Sequence, residues 1–91
     1  MSAPVRRRVL VRGRVQGVSF RDSCRRRAHA AHLAGTVSNL TDGSVEAIFE
    51  GPAESVEELV AWCRRGTRLA DVTSVDVSEE TPQGLTAFTI S

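Results

Sequence analysis

Residues 13–21 read Gly-Arg-Val-Gln-Gly-Val-Ser-Phe-Arg and join an apolar, strand-like run at residues 9–11 to a segment with helical apolar spacing. A glycine-containing loop that enters a helix points several backbone N–H groups at one spot, and the helix dipole makes that spot attractive to an anion. Arg21 stands at the start of the helix, where a guanidinium can hold a phosphate through two hydrogen bonds. The stretch therefore predicts an oxyanion-binding loop between a strand and a helix.

The residues on either side of this loop have the periodicities of a strand and a helix. Alternating apolar residues predict a first strand from about residue 7 to residue 13. Apolar side chains then recur at helical spacing from about residue 20 to residue 32, and they are Phe20, Cys24, Ala28 and Ala31. The first strand is thus predicted to lead through the loop into the first helix.

A hairpin and two final strands are predicted in the remainder of the chain. Residues 35–39 and 45–50 have strand-like patterns, and Asp42-Gly43 between them is a strong hairpin signal. The last two strands are predicted near residues 72–77 and 85–90. The hairpin therefore lies between the two helices along the chain.

The second helix is predicted from a capping pattern. Ser55 and Glu58 match a capping box with Ser55 as the N-cap, and Gly66 is a suitable terminator. The first six of these elements, in the order β-α-β-β-α-β, predict a ferredoxin-like α+β sandwich with one antiparallel sheet and two helices on one face. A chain of 91 residues is long enough for one core only, so a single domain over residues 1–91 is expected.

The loop closely resembles the signature of the acylphosphatase family, Gly-x-Val-Gln-Gly-Val-x-Phe-Arg. Gly35 to Asn39 resembles the Gly-x-Val-x-Asn strand that follows it in the family, with the Asp42-Gly43 turn next. Gly51-Pro52 and the closing Phe88-Thr89-Ile90 also fit, so the resemblance covers nearly the whole chain. It implies hydrolysis of the carboxyl-phosphate anhydride bond of small acyl phosphates to carboxylate and phosphate, without a metal ion or other cofactor.

The resemblance also implies roles for individual residues. Arg21 matches the arginine that binds phosphate in the family, and Asn39 matches the asparagine that orients the nucleophilic water. A neutral amide suits Asn39, because it can accept from water and donate to substrate without repelling an anion. The residues expected to bind phosphate or other small anions, the first five through backbone N–H groups, are Gln16, Gly17, Val18, Ser19, Phe20 and Arg21.

Hydrolysis of an acyl phosphate requires little acid–base catalysis. Its leaving group is a carboxylate, already a stable anion near neutral pH. The remaining tasks are to hold the phosphoryl group, offset its charge and aim a water in line. No general base is evident near the motif, and the resemblance suggests that a phosphate oxygen of the substrate serves instead.

The composition is that of an ordinary soluble globular protein, with 41% apolar and 25% charged residues. No apolar run approaches the roughly 20 residues that span a bilayer, and the N-terminus lacks the pattern of a secretory leader. We therefore expect a cytoplasmic protein with no membrane partner, and a monomer by default.

Basic residues are concentrated near the N-terminus, with nine of the twelve arginines in the first 27 positions. A nucleic-acid-binding module on the same fold is one alternative function. Such sheets stack bases on exposed aromatic residues, whereas this chain has no Tyr, three Phe and one Trp, so no nucleic acid is expected. Arg6-Arg7-Arg8 and Arg25-Arg26-Arg27 are predicted to be solvated edges. A domain that binds phosphate without turnover is a further alternative.

Two other pairs of residues could carry chemistry. His29 and His32 are spaced i, i+3, but no carboxylate or cysteine completes a convincing site, so no metal is expected. Cys24 and Cys63 are predicted to lie at the same end of the helical layer with their side chains inward. They could form a disulfide or be two buried thiols that fill the core.

Three positions depart from the family pattern. Thr36 replaces an aromatic residue, His32 replaces the glycine common at the end of the first helix, and Thr67 follows Gly66 where proline is usual. None of them alters Arg21 or Asn39. We expect them to affect stability and substrate fit more than chemistry.

Overall fold

The computed structural model describes residues 3–91, which form five strands and two helices. Their order is β1 (Val5–Arg14), α1 (Phe20–Ala30), β2 (Ala34–Asn39), β3 (Val45–Gly51), α2 (Ala53–Arg65), β4 (Asp71–Glu80) and β5 (Phe88–Ile90). Neither helix in these residues is long and apolar enough to cross a membrane. The strand β1 is longer at both ends than predicted, and β5 is shorter.

The strands form a single sheet in the order β4-β1-β3-β2-β5. The predicted ferredoxin-like α+β architecture is confirmed, but the sheet is mixed rather than antiparallel, because β2 and β5 pair in parallel. The chain leaves β4 at one edge, reverses direction and reaches the opposite edge. There the direction of β5 is opposite to that of β4 and therefore the same as that of its neighbour β2.

A buried carboxylate holds the segment that crosses between these edges. The Glu50 carboxylate accepts hydrogen bonds from the backbone N–H groups of Gln83 at 2.9 Å and Leu85 at 3.0 Å, and it pairs with Arg6 at 3.1 Å. These donors lower the pKa of Glu50. Arg6 also binds Glu80 at 2.8 Å and is only 6% exposed, so the prediction of a solvated edge is wrong for this arginine.

The core lies between the helices and one face of the sheet. Alternate residues of β1 and β3 are buried there and meet the apolar stripes of both helices; these strand residues are Val9, Val11, Val45, Ala47 and Phe49. Phe20 of α1 and Trp62 of α2 pack with their ring centroids 4.9 Å apart. This contact fixes the N-terminal end of α1, where the loop enters the helix.

The helix α2 begins earlier than the capping box predicts. Its first residue is Ala53, and Pro52 precedes it with φ −57° and ψ 137°. The first helical hydrogen bond runs from the N–H of Val56 to the carbonyl of Pro52 at 3.0 Å. Ser55 is consequently inside the first turn and makes no capping bond, because the fixed φ of proline already starts the helix.

The helix α1 ends two residues earlier than predicted, in a left-handed turn at His32 with φ 57°. The N–H of Leu33 donates to the carbonyl of Ala28 at 2.9 Å, and the N–H of His32 donates to that of His29 at 3.1 Å. These two bonds define a Schellman motif, in which the left-handed position favours glycine. The motif explains why a glycine is suited to position 32.

Candidate functional site

The loop between β1 and α1 is anchored by apolar side chains. Val15, Val18 and Phe20 are all buried, with exposed fractions of 1%, 7% and 2%. Gly17 and Ser19 alternate with these anchors and are exposed. The core thus fixes the loop from below and leaves the backbone of residues 16–19 available to a ligand.

Two loop residues adopt left-handed backbone conformations, Gly17 with φ 74° and Ser19 with φ 62°. Left-handed residues within a turn direct successive backbone N–H groups to one side, which creates an anion-binding concavity. A Cβ built on Gly17 meets no atom within 4 Å, so glycine is required there for its φ rather than for space. Ser19 holds the same region at a cost of about 1 kcal/mol, and strain of this kind is concentrated at functional sites.

Side-chain hydrogen bonds brace the loop on two sides. The Gln16 amide donates to the carbonyls of Leu40 at 2.8 Å and Ser44 at 2.9 Å, which belong to the hairpin turn. The Thr67 hydroxyl donates to the carbonyl of Val18 at 2.8 Å. The sequence predicted a backbone contribution from Gln16 but neither brace. The position of Gln16 within the motif could have indicated its role in the site, whereas no sequence feature indicated that Thr67 would brace the loop.

Arg21 lies in the first turn of α1, as predicted. Its Nη1 atom donates to the main-chain oxygen of Ser91 at 2.9 Å. Within residues 3–91, no Asp or Glu side chain pairs with this guanidinium. No Asp or Glu side chain in these residues therefore competes with an anion for this guanidinium.

Asn39 is the last residue of β2 and pairs with Val45 across the sheet. Its Oδ1 atom is buried and has no hydrogen-bond partner. A buried polar atom without a partner typically costs about 1–3 kcal/mol, and such an atom in a native fold needs an explanation. A bound water or a ligand would satisfy it.

The structure brings the three predicted parts of the site to the end of β2. Ser91, which accepts from Arg21, donates its own N–H to the carbonyl of Val37 at 3.0 Å, two residues before Asn39. Gln16 ties the loop to the turn that starts directly after Asn39. Hydrogen bonds thus link the loop and the Arg21 guanidinium to the main chain on either side of Asn39.

The carboxylate nearest to Asn39 along the chain belongs to Asp42. The hydroxyl and the backbone N–H of Ser44 both donate to Asp42 Oδ1. These bonds lower the pKa of Asp42. A carboxylate whose protonated form is disfavoured in this way is a weak general base, so Asp42 serves the hairpin turn.

The arginine-rich first third of the chain is largely paired. Six of its nine arginines lie within salt-bridge distance of a carboxylate. The pairs are Arg6 with Glu50 and Glu80, Arg7 with Glu57 and Glu79, Arg8 with Glu46, Arg12 with Asp76, and Arg25 and Arg26 with Asp22. The positive charge near the N-terminus is therefore mostly offset locally. Arg21 is an exception at the candidate site.

The other residues singled out in the sequence have structural surroundings. His29 Nε2 lies 3.2 Å from the carbonyl oxygen of Phe88, and the described residues contain no group of three potential metal ligands. Cys24 and Cys63 are free and buried, so the possible disulfide is not formed. The adjacent Cys24 thiol, together with burial, raises the pKa of Cys63 well above its ordinary value. That thiol stays protonated, which fits the alternative of two core-filling cysteines.

The chain is similar in sequence to known proteins over most of its length. Residues 7–90 match the family model described as acylphosphatase. This chain belongs to the acylphosphatase family. An acylphosphatase of Natronomonas pharaonis is 48% identical over 99% of this chain and 98% of its own length. An acylphosphatase of Methylococcus capsulatus is 59% identical over 78% of this chain and 77% of its own.

A solved acylphosphatase has the same architecture. The crystal structure of the Bacillus subtilis acylphosphatase is 36% identical and matches with a TM-score of 0.91, covering 96% of this chain and 98% of that one. The likeness thus extends over nearly the whole chain. In this member of the acylphosphatase family, the motif loop, Arg21 and Asn39 meet at one end of the sheet.

Proposed function

We propose that the chain hydrolyses small acyl phosphates to carboxylate and phosphate, with the loop of residues 16–20 and Arg21 binding the phosphoryl group and Asn39 orienting the attacking water. The observation that carries the proposal is the buried, unpartnered Oδ1 atom of Asn39 at the place where the loop and Arg21 meet. An acceptor left free in this position is suited to a water that donates to it. The family of the chain supports the same reaction.

Binding of the phosphoryl group uses the fixed dipoles of the loop. The N–H groups around Gly17 and Ser19 and the N-terminal end of α1 surround a concavity that attracts negative charge. The planar guanidinium of Arg21 can add two parallel hydrogen bonds. Because the loop is braced through Gln16 and Thr67, these donors are held in place before substrate arrives.

Hydrolysis then needs one water in line with the leaving carboxylate. Asn39 accepts a hydrogen bond from that water, which fixes the direction of its lone pair. The water oxygen forms a bond to phosphorus as the bond from phosphorus to the carboxylate oxygen breaks. One water proton passes to a phosphoryl oxygen and the other stays on the attacking oxygen, so dihydrogen phosphate and the free carboxylate leave without a separate general base.

The site accounts for a substrate class rather than for one acyl group. The described contacts surround the phosphoryl position, and the partners we propose are small acyl phosphates and, in competition, phosphate or other small anions. The reaction requires positive charge around the phosphoryl group, and the loop and Arg21 supply it. We therefore propose that turnover proceeds without an added metal ion.

The first test is Arg21→Ala. We expect turnover of acetyl phosphate or benzoyl phosphate, measured as carboxylate release with a chelator present, to fall at least about 10³-fold. Arg25→Ala is the matched control, because Arg25 lies one turn further along α1 and pairs with Asp22. Arg21→Lys should remain impaired, since an ammonium does not reproduce the planar fork.

The control variant decides how the result is read. Equal losses in Arg21→Ala and Arg25→Ala would show that removing any positive charge from α1 is sufficient, and would contradict the assignment of Arg21. Folded wild-type protein that binds phosphate but releases no carboxylate would favour the phosphate-binding domain instead.

A further inference from the structure

A groove of about 960 Å³ lies between α1 and the segment that begins at the end of α2. Four arginines line it, namely Arg26, Arg27, Arg65 and Arg68, and no Asp or Glu is among its lining residues. Asp22 pairs with Arg26 at 3.4 Å. In the described chain no carboxylate pairs with the other three, so this surface concentrates positive charge that the fold does not offset.

The same groove has an apolar part. Trp62 contributes to its lining and is 4% exposed, and the guanidinium carbon of Arg27 lies 5.2 Å from the centre of its ring. Leu69 also lines the groove and is 64% exposed, so its side chain is accessible to a ligand there. A guanidinium that lies over an indole ring has an outer face available to a second planar group. The groove therefore combines a planar, apolar contact with surrounding positive charge.

The groove is separate from the proposed phosphoryl site. Its residues on α1 include Ser23, Arg26 and Arg27, which share one side of the helix. Successive helical residues turn by about 100°, so Arg21 points to nearly the opposite side from Ser23, where it reaches Ser91. A small acyl phosphate held by Arg21 would not extend into the groove.

The groove nevertheless touches the loop. Val18 and Ser19 line it, and so does Thr67, whose hydroxyl donates to the carbonyl of Val18 at 2.8 Å. A ligand in the groove would therefore contact the loop at Val18 and Ser19, beside Thr67, whereas Arg21 extends from the other side of α1 toward Ser91.

We propose that the groove is a second anion-binding site, which takes a small organic anion with a flat apolar part and at least two negative charges. Each feature of the ligand answers a feature of the groove. The flat part stacks on the outer face of Arg27 and contacts Leu69, and the charges reach Arg65 and Arg68. Binding at this site needs no turnover, so it can be measured whether or not the proposed hydrolysis is correct.

The experiment titrates naphthalene-1,5-disulfonate, a planar dianion without phosphorus, into the protein with saturating inorganic phosphate. Binding is followed by the shift of the Trp62 indole resonance, which is unique because the chain has one tryptophan. The test variant is Arg65→Gln/Arg68→Gln, at two exposed positions whose replacement spares the core. The control is Arg25→Gln/Arg64→Gln, which removes the same charge from positions outside the groove.

We expect saturable binding with phosphate present, about tenfold weaker in the groove variant because two exposed charge contacts are lost, and unchanged in the control. Displacement of the probe by phosphate would place it in the loop and overturn the proposal. Equal weakening in both variants, or no saturable binding, would overturn it as well. A dimer seen by sedimentation and abolished only by the groove variant would assign the surface to a second copy of the chain.

Discussion

At the scale of single residues, Asn39 is distinguished by an acceptor with no partner. Its Oδ1 atom is buried at the end of β2, and none of the described groups donates to it. A residue that only shaped the hairpin turn would use its side chain in hydrogen bonds within the turn, as the Asp42 carboxylate does when it accepts from Ser44. The free acceptor therefore points to a role toward water or ligand.

Asn39→Ala separates the two parts of the proposed mechanism. We expect turnover of acetyl phosphate to fall about 10²–10³-fold because the water loses its orienting acceptor. The affinity for inorganic phosphate, measured by calorimetry, should change little, since the loop and Arg21 remain. Loss of phosphate binding in parallel with turnover would contradict the assignment of Asn39 to the water.

Gln16 acts on the site through other residues. Its amide donates to two carbonyls of the hairpin turn and so sets the spacing between the loop and Asn39. Gln16→Glu keeps the size but replaces the donor by an acceptor that faces those two carbonyl oxygens. We expect turnover to fall about tenfold and the free energy of unfolding to fall by about 1–2 kcal/mol.

A positioning role and a simple loss of stability are distinguished by the temperature of the assay. The activity of Gln16→Glu is compared with wild type well below its own unfolding midpoint, where both proteins are folded. Full activity there would show that the brace stabilises the fold without affecting the site.

At the scale of elements, the end of α1 shows how the backbone conformation of a turn limits which residue suits a position. The turn after α1 requires a left-handed residue at position 32, and His32 adopts it with φ 57°. Histidine tolerates this region better than branched residues, yet glycine enters it without steric cost. The departure from the family pattern at this position is consequently a local cost to stability.

His32→Gly should raise the free energy of unfolding by about 1 kcal/mol, because the left-handed conformation no longer strains a side chain. For a domain of this size we expect an increase in the midpoint of thermal unfolding of about 4–8 °C. His29→Gly is the contrasting variant, since position 29 is inside α1 and glycine there destabilises a helix. A fall in stability for His32→Gly would show that contacts of the imidazole outweigh its backbone strain.

At the scale of the whole molecule, the Arg6–Glu50 pair connects the sheet to the segment that leads into β5. The N–H groups of Gln83 and Leu85 donate to the same carboxylate. The path of the chain from one edge of the sheet to the other depends on this group. The position of β5 in turn sets that of Ser91, the partner of Arg21.

The lowered pKa of Glu50 gives this network a defined pH dependence. A carboxyl whose pKa is depressed by folding stabilises the protein above its unfolded pKa, ordinarily near 4.5, and this contribution is lost as pH falls toward the folded value. Glu50→Gln should lower the free energy of unfolding by about 2 kcal/mol at pH 7. The difference from wild type, measured by urea unfolding, should shrink below about pH 4.5.

A control carboxylate makes this comparison specific. Glu79 is exposed and contacts Arg7 at 3.4 Å, so Glu79→Gln should change stability by less than about 1 kcal/mol at any pH. A difference between Glu50→Gln and wild type that stayed constant from pH 7 to pH 3 would contradict the proposed titration.

The sequence by itself determined the elements and offered candidate residues for the site. Periodicity placed both helices and the strands that surround them, because burial patterns and turn residues are local properties of the chain. The family resemblance at residues 13–21 and 35–39 made Arg21 and Asn39 the candidates. One error of the sequence-based prediction was also local, because the capping pattern at Ser55 predicts a start for α2 that is three residues later than the one after Pro52.

Only the tertiary structure decided how those parts meet. The parallel pairing of β2 with β5, the burial of Arg6 against Glu50 and the braces from Gln16 and Thr67 join residues between 24 and 53 positions apart along the chain. No local pattern encodes such contacts, because they depend on which surfaces the packed core brings together. The same packing leaves the buried Asn39 acceptor without a partner among the described residues and gathers four arginines along one groove.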